Sequence, residues 1–167
     1  RLPQKPFAAT IDVLPVALHG MVSGSGIVET KFQGKKGQKL LVEVEAQRLG
    51  SKLKPVVHLY SPKRLQLAWS WGKPHLAGDT RLEATLHEDG AYSIAVHDLE
   101  YAAAAPAFFR LKVGDWSYVD QVFPPVVAKG KKTSVQLIGS GSEKTEVAPG
   151  PSLDVLPLNW PKAGIWS

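Results

Sequence analysis

Apolar residues recur along this chain with a period of two. Leu40, Val42, Val44 and Ala46 alternate with Leu41, Glu43, Glu45 and Gln47, a pattern that places apolar groups on one face of a strand and mostly acids on the other. Further strand-like runs are Val56 to Tyr60, Leu65 to Trp71, Leu82 to Leu86, Tyr92 to Val96, Phe108 to Val113, Tyr118 to Phe123 and Val135 to Ile138. Between them stand Gly-Lys-Lys-Gly-Gln, Ser-Pro-Lys, Gly-Lys-Pro, Glu-Asp-Gly and Lys-Gly-Lys-Lys, turn text supplied by Gly, Pro and Asp. Short strands with frequent turns and no amphipathic helix predict an all-β protein, an antiparallel sandwich or barrel rather than βαβ units. The one helix candidate, Tyr101 followed by four alanines, is stopped by Pro106, so a loop with one helical turn is expected there.

A boundary is expected near Gly114-Asp115, giving a β-sandwich over 1–114 and a C-terminal β extension over 115–167. The extension has two strand-like runs and then a Pro/Gly/Ser-rich remainder, and about 50 residues without cysteine is small for an independent domain. It therefore either packs on the sandwich or opens a further, truncated module. Its tryptophans, Trp116, Trp160 and Trp166, are expected to staple the tail down. Arg1 in place of Met is read as the start of a mature or excised piece, with any export signal upstream.

Composition narrows the chemistry. The 167 residues hold no Cys, which removes disulfides, Cys-ligated zinc, iron–sulfur clusters and cysteine nucleophiles together. No apolar run approaches the ~18 residues of a membrane helix. The formal charge of +5 is divided unevenly: residues 1–75 are strongly basic, 76–128 acidic and 129–167 mildly basic. The lysines are scattered singly or sit in turns such as Lys35-Lys36 and Lys131-Lys132, which suits a solvated surface better than a nucleic-acid face. No nucleophile elbow, phosphate loop or His-Glu-x-x-His motif is present. The five histidines lie far apart in sequence. A hairpin around Glu88-Asp89-Gly90 would bring His87 and His97 together, with Asp98 as a third zinc ligand, although a solvated pair is the simpler expectation. Glu43 and Glu45 share a strand face, which an exposed surface beside Lys or Arg neighbours explains without catalysis.

At Lys35-Lys36-Gly37-Gln38-Lys39-Leu40, Glu43-Val44, Arg48-Leu49-Gly50-Ser51, Asp79-Thr80-Arg81-Leu82, Glu88-Asp89-Gly90-Ala91-Tyr92 and Val96-His97-Asp98-Leu99, order and spacing resemble the bacterial pre-peptidase C-terminal domain, over roughly residues 15–114. The resemblance implies a jelly-roll-like β-sandwich, non-catalytic, attached to secreted bacterial proteases and other large extracellular proteins. It thus implies an extracellular or periplasmic location and neighbouring domains as partners. Tyr118 to Gly139 resembles the first strands of an immunoglobulin-like module. The same residues read physically as fold chemistry: Gly90 supplies a positive φ to a tight turn, Tyr92, Ile94 and Val96 share one strand face, and Arg48 and Arg81 tie strand ends to acids or carbonyls. Members of the family often carry aspartates suited to calcium. Here the corresponding positions are Gly26 and Val28, and then Trp69, Ser70 and Trp71, leaving only Glu29 and Asp79 nearby, so no metal or other cofactor is expected and calcium is the weaker alternative.

Trp69-Ser70-Trp71 is the most unusual text. Two indoles at i, i+2 project to one strand face about 7 Å apart and offer a platform on which sugar rings can stack. Leu65 and Leu67 share their parity, which argues instead for a buried face, whereas a bulge or strand end at Gly72-Lys73-Pro74 would turn them outward. Trp69, Trp71, His75 and Tyr101 are the candidate ligand-binding residues, with a polysaccharide or cell-surface glycan as the partner. The alternative is a structural spacer or protein–protein module in a multidomain extracellular chain.

Overall fold

The computed structural model describes residues 2–151 and 158; Trp160 and Trp166 lie outside the described residues. The chain divides into two compact units, one spanning Leu2–Asp115 and one beginning at Trp116. In the first unit the strands are β1 (Gln4–Pro6), β2 (Thr10–Ile11), β3 (Val16–Met21), β4 (Ile27–Gly34), β5 (Lys39–Glu45), β6 (Pro55–Tyr60), β7 (Gln66–Ser70), β8 (Thr80–Thr85), β9 (Gly90–Asp98) and β10 (Phe108–Gly114). They form two five-stranded sheets, one in the order β1-β3-β10-β5-β8 and the other β2-β4-β9-β6-β7. Neighbours pair antiparallel except at one edge of each sheet, where β1 runs parallel to β3 and β2 parallel to β4.

The two sheets enclose a single core. Val42, Val44, Leu82, Phe109, Leu111 and Val113 come from the first sheet, and Phe32, Val57, Leu59, Tyr92, Ile94 and Val96 from the second. Phe32 and Tyr92 stack at 5.7 Å, and the Tyr92 hydroxyl donates to the Glu88 carbonyl at 2.8 Å. Gly90 takes the expected positive φ, 149°, at the head of β9. The alternation of Leu40, Val42 and Val44 into this core is what makes β5 legible in the sequence.

β3, β4 and a strand of the second unit have no such signature. β3 buries Val16, Ala17 and Leu18 in succession, so alternation is absent. β4 turns Thr30 and Gly34 inward beside Phe32. In the second unit β13 (Ser142–Val147) alternates partly buried Glu143 and Thr145 with exposed residues and buries only Val147.

The helical turn expected at Tyr101 does not form. Tyr101 adopts a left-handed φ of 53°, and Ala103 makes a β-bridge to Gly24. Five residues are too few to nucleate a helix on alanine propensity, and the Asp98 carboxylate accepts the Glu100 amide at 3.0 Å, which turns the chain differently. Among the described residues helical geometry occurs in two 310 turns, Gln47–Leu49 and Pro74–Leu76.

The outward face of the first sheet corrects a second expectation. Glu43 and Glu45 are each only 3% exposed, not on a solvated face. Arg48 and Arg81 both pair with Glu43, while Arg110 and Lys112 pair with Glu45. Arg48 also binds Asp79 at 2.7 Å, and the other Asp79 oxygen accepts the amides of Ala46 and Gln47. Arg48 and Arg81 thus tie strand ends to acids as anticipated. Burial opposes the Glu45 charge, but the Arg110 and Lys112 cations outweigh it and hold the carboxyl below its ordinary pKa. Burial likewise opposes the Arg48 charge, yet Asp79 and Glu43 raise its pKa.

The second unit contains β11 (Val119–Phe123), β12 (Thr133–Gly139) and β13 in an antiparallel three-stranded sheet. Val135, Leu137 and Val147 form its core with Val119, Val122, Val127 and Leu158 around them. Trp116, at its start, is buried.

Candidate binding site

The strand pairing of the second sheet assembles aromatic side chains that are scattered in sequence. Trp69 on the edge strand β7 lies opposite His58 on β6, and Val56, two residues before His58, lies opposite His97 on β9. With period-two alternation, Trp69, His58 and His97 project from the same outward face. Their rings meet in a row: Trp69 to His58 at 6.1 Å with planes 11° apart, and His58 to His97 at 5.1 Å and 20°. Tyr101 then stacks on His97 at 4.3 Å and 8°. Tyr60 stacks on His58 at 5.9 Å and carries the Arg64 guanidinium over its ring at 5.1 Å. At the strand end, Trp71 meets Trp69 at 4.8 Å with planes 66° apart.

Both indoles are open to solvent, Trp69 by 49% and Trp71 by 52%, and Tyr101 by 50%. The parity argument for burial therefore fails. The inward positions of β7 are the small Ala68 and Ser70, which lie opposite the buried Leu59 and Val57 of β6. The bulk of this part of the core comes from β6 and β9, and the larger residues on and beside β7, Leu65, Leu67, Trp69 and Trp71, are left outside.

The row is held from below by polar contacts. The His97 Nδ1–H donates to the Asp98 carbonyl at 2.7 Å. The Nε2 atoms of His97 and His58 lie 2.9 Å apart, within hydrogen-bond distance. The other His58 nitrogen faces the Gln66 side-chain amide at 3.0 Å. Arg64 crosses the face to donate to Glu29 at 2.6 Å, and this hydrogen bond lowers the Glu29 pKa against a weaker opposing effect of burial.

Asp98 organises the loop that brings Tyr101 over His97. Burial works against its charge, but the amides of Lys54, Glu100 and Ala102 donate to it and, with the Lys54 ammonium, hold its pKa below the ordinary value. Such a group stabilises the fold fully above the ordinary carboxyl pKa of 3.8, and its contribution is lost as pH falls through the lower folded value. We predict that Asp98→Ala leaves those three donors unsatisfied, costs about 2–3 kcal/mol, and speeds amide exchange at Lys54, Glu100 and Ala102. Unchanged exchange at all three would contradict this assignment.

Of the four residues singled out in the sequence, Trp69, Trp71 and Tyr101 are joined by the ring contacts. His75 is exposed on the turn Pro74–Leu76, four positions beyond Trp71. Sequence reading missed His58, Tyr60 and Arg64 and gave His97 a different partner; the alternation of His58 and Tyr60 with Val57 and Leu59 was the available signal for those two. The expected pairing of His87 with His97 does not occur. β8 and β9 belong to different sheets, so no hairpin spans that turn, and His97 turns to His58. Among the described residues no group of three or more His, Asp or Glu side chains is placed to hold a metal ion. Of the two acids the calcium alternative relied on, Glu29 pairs with Arg64 and Asp79 with Arg48.

No protein-family model matches the chain, and no curated protein matches it. Among solved structures it is similar to the pre-peptidase C-terminal domain of a collagenase from Bacillus anthracis, with a TM-score of 0.50 and 12% identity over 65% of this chain and 96% of that one. It is also similar to PliG, a periplasmic inhibitor of g-type lysozyme, from Aeromonas hydrophila (TM-score 0.48, 18% identity, 66% of this chain and 97% of that one). The PliG of Salmonella Typhimurium gives a TM-score of 0.44 at 15% identity, over 65% of this chain and 98% of that one. The first likeness supports a fold like that of the pre-peptidase C-terminal domain and says nothing of function by itself.

Proposed function

We propose that this protein is a non-catalytic accessory module of a secreted or periplasmic protein, and that it binds polysaccharide through the outward aromatic face of its second sheet. The observation that carries this reading is the solvent exposure of Trp69 and Trp71 at the end of a continuous row of rings. Clustered exposed apolar side chains rimmed by polar ones mark contact surfaces, and flat rings beside hydrogen-bonding groups suit the apolar faces and hydroxyls of sugars. An accessory role agrees with the fold and with the resemblance over residues 15–114. The module from Tyr118 to Gly139 is read, on its own resemblance, as immunoglobulin-like.

Acrylamide quenching of tryptophan fluorescence tests the reading. In single-tryptophan variants retaining Trp69 or Trp71, each indole is expected to be readily quenched in the free protein and shielded by at least one member of a polysaccharide panel. Quenching that no polysaccharide changes would favour the spacer or protein–protein reading. The specific observation behind that alternative is the edge strand β7, which leaves Leu65 and Leu67 exposed beside the indoles and could accept a protein partner.

A further inference from the structure

The open cleft at the end of the aromatic row has a lysine at its edge, whereas the Arg64 guanidinium further along the row is paired with Glu29. It measures about 240 Å³ and is lined by Trp69, Ser70, Trp71 and Lys73. Among the described residues no acid lines it. Lys73 is partly buried, and its side chain has no acidic partner among the described residues, in contrast to Lys54, Lys63 and Lys112, which pair with Glu100, Glu88 and Glu45. Its backbone is fixed at both ends: the Lys73 amide donates to the Asp79 carbonyl, and the Lys73 carbonyl accepts the amides of Leu76 and Gly78. Asp79 is in turn anchored by Arg48 in the buried charge cluster. The side chain thus springs from a held backbone at a cleft lined by two indoles, with no acidic partner among the described residues.

From this geometry we infer that the Trp69–Trp71 cleft takes a single polysaccharide chain bearing sugar carboxylates, with the Lys73 ammonium as the counter-charge. The inference rests on the proposed polysaccharide-binding reading and names its ligand class. A carboxylate in the cleft meets one cation and no acid, and partial burial makes that pairing stronger than it would be in open water. The chain's net charge of +5 favours approach of a polyanion. The 66° between the indole planes prevents both rings from lying flat on one planar crystalline surface, whereas a single chain can present successive sugars at different angles.

The test is affinity electrophoresis or titration calorimetry in 150 mM salt, chosen so that general screening (Debye length about 8 Å) suppresses unspecific attraction. The probes are polygalacturonate, dextran sulfate, barley β-glucan and crystalline cellulose, with Lys73→Gln as variant and Lys36→Gln, in the remote turn before β5, as control. Polygalacturonate is expected to bind at least tenfold more tightly than β-glucan. Lys73→Gln is expected to remove about tenfold of that preference without weakening β-glucan binding, Lys36→Gln to change neither, and all three proteins to melt alike. Equal affinity for polygalacturonate and β-glucan, equal or tighter binding of dextran sulfate, capture by crystalline cellulose, or identical behaviour of the two lysine variants would overturn the inference while leaving polysaccharide binding intact. Binding to none of the probes would remove both.

Discussion

Glu45→Ala is expected to destabilise the first unit by about 3–5 kcal/mol, the usual cost of removing one partner from a buried ion cluster. The loss comes less from the missing attraction than from what is stranded. Arg110 and Lys112 keep their charges next to a cavity, with Lys112 almost wholly enclosed and Glu43 3.5 Å away from its ammonium. For a unit of this size the melting temperature should fall by about 10 °C or more. Glu45→Gln should recover part of the loss by keeping the volume and one acceptor. Since the native Glu45 pKa is lowered, its contribution is present above the ordinary glutamate value of 4.5 and disappears as pH falls through the folded one. The wild-type stability should therefore drop steeply in acid, and that of Glu45→Ala more gently. Parallel acid profiles for the two proteins, measured by urea unfolding, would show that Glu45 is not the hub described.

The second large effect is on binding. In the double variant Trp69→Ala/Trp71→Ala the fold should be nearly unchanged, within about 1 kcal/mol, because both indoles are half exposed and the core side of β7 is Ala68 and Ser70. Each indole fully engaged by a ligand contributes about 1.5–3 kcal/mol of apolar burial, and each 1.4 kcal/mol is tenfold in affinity. The double variant should therefore bind polysaccharide about 100-fold more weakly or not measurably. Retained affinity in a variant with unchanged melting would move the contact surface elsewhere.

Much of the architecture was legible from local text. β5, β6, β9, β10 and β12 follow from alternation of apolar residues, and the Glu88-Asp89-Gly90 turn from the glycine that its φ requires. β3 and β4 were not legible, because one is apolar on both faces and the other lines the core with Thr30 and Gly34. For the site, local spacing located Trp69 and Trp71 but left their side open, parity pointing to burial and the strand end at Gly72 to exposure. Which face of an edge strand is buried depends on what its neighbours supply, and here Val57 and Leu59 already fill the space. The same non-locality hid the row of rings: His58, His97 and Tyr101 meet only through the register of β6 on β9 and the left-handed turn at Tyr101. Glu43 and Glu45 read as exposed for a related reason, since the cations that permit their burial come from β8, β10 and the turn at Arg48.

The central claim is that the protein acts by surface contact through the outer face of the β2-β4-β9-β6-β7 sheet. The most direct measurement is a residue-resolved NMR titration with polygalacturonate, following backbone amides and indole Nε1–H signals. The account predicts saturable shifts confined to Trp69, Trp71, Lys73, His58 and Tyr101 and their strand neighbours, with the β1-β3-β10-β5-β8 sheet silent. Shifts centred on that opposite sheet, or on the β11–β13 unit with Trp69 and Trp71 unmoved, would contradict it.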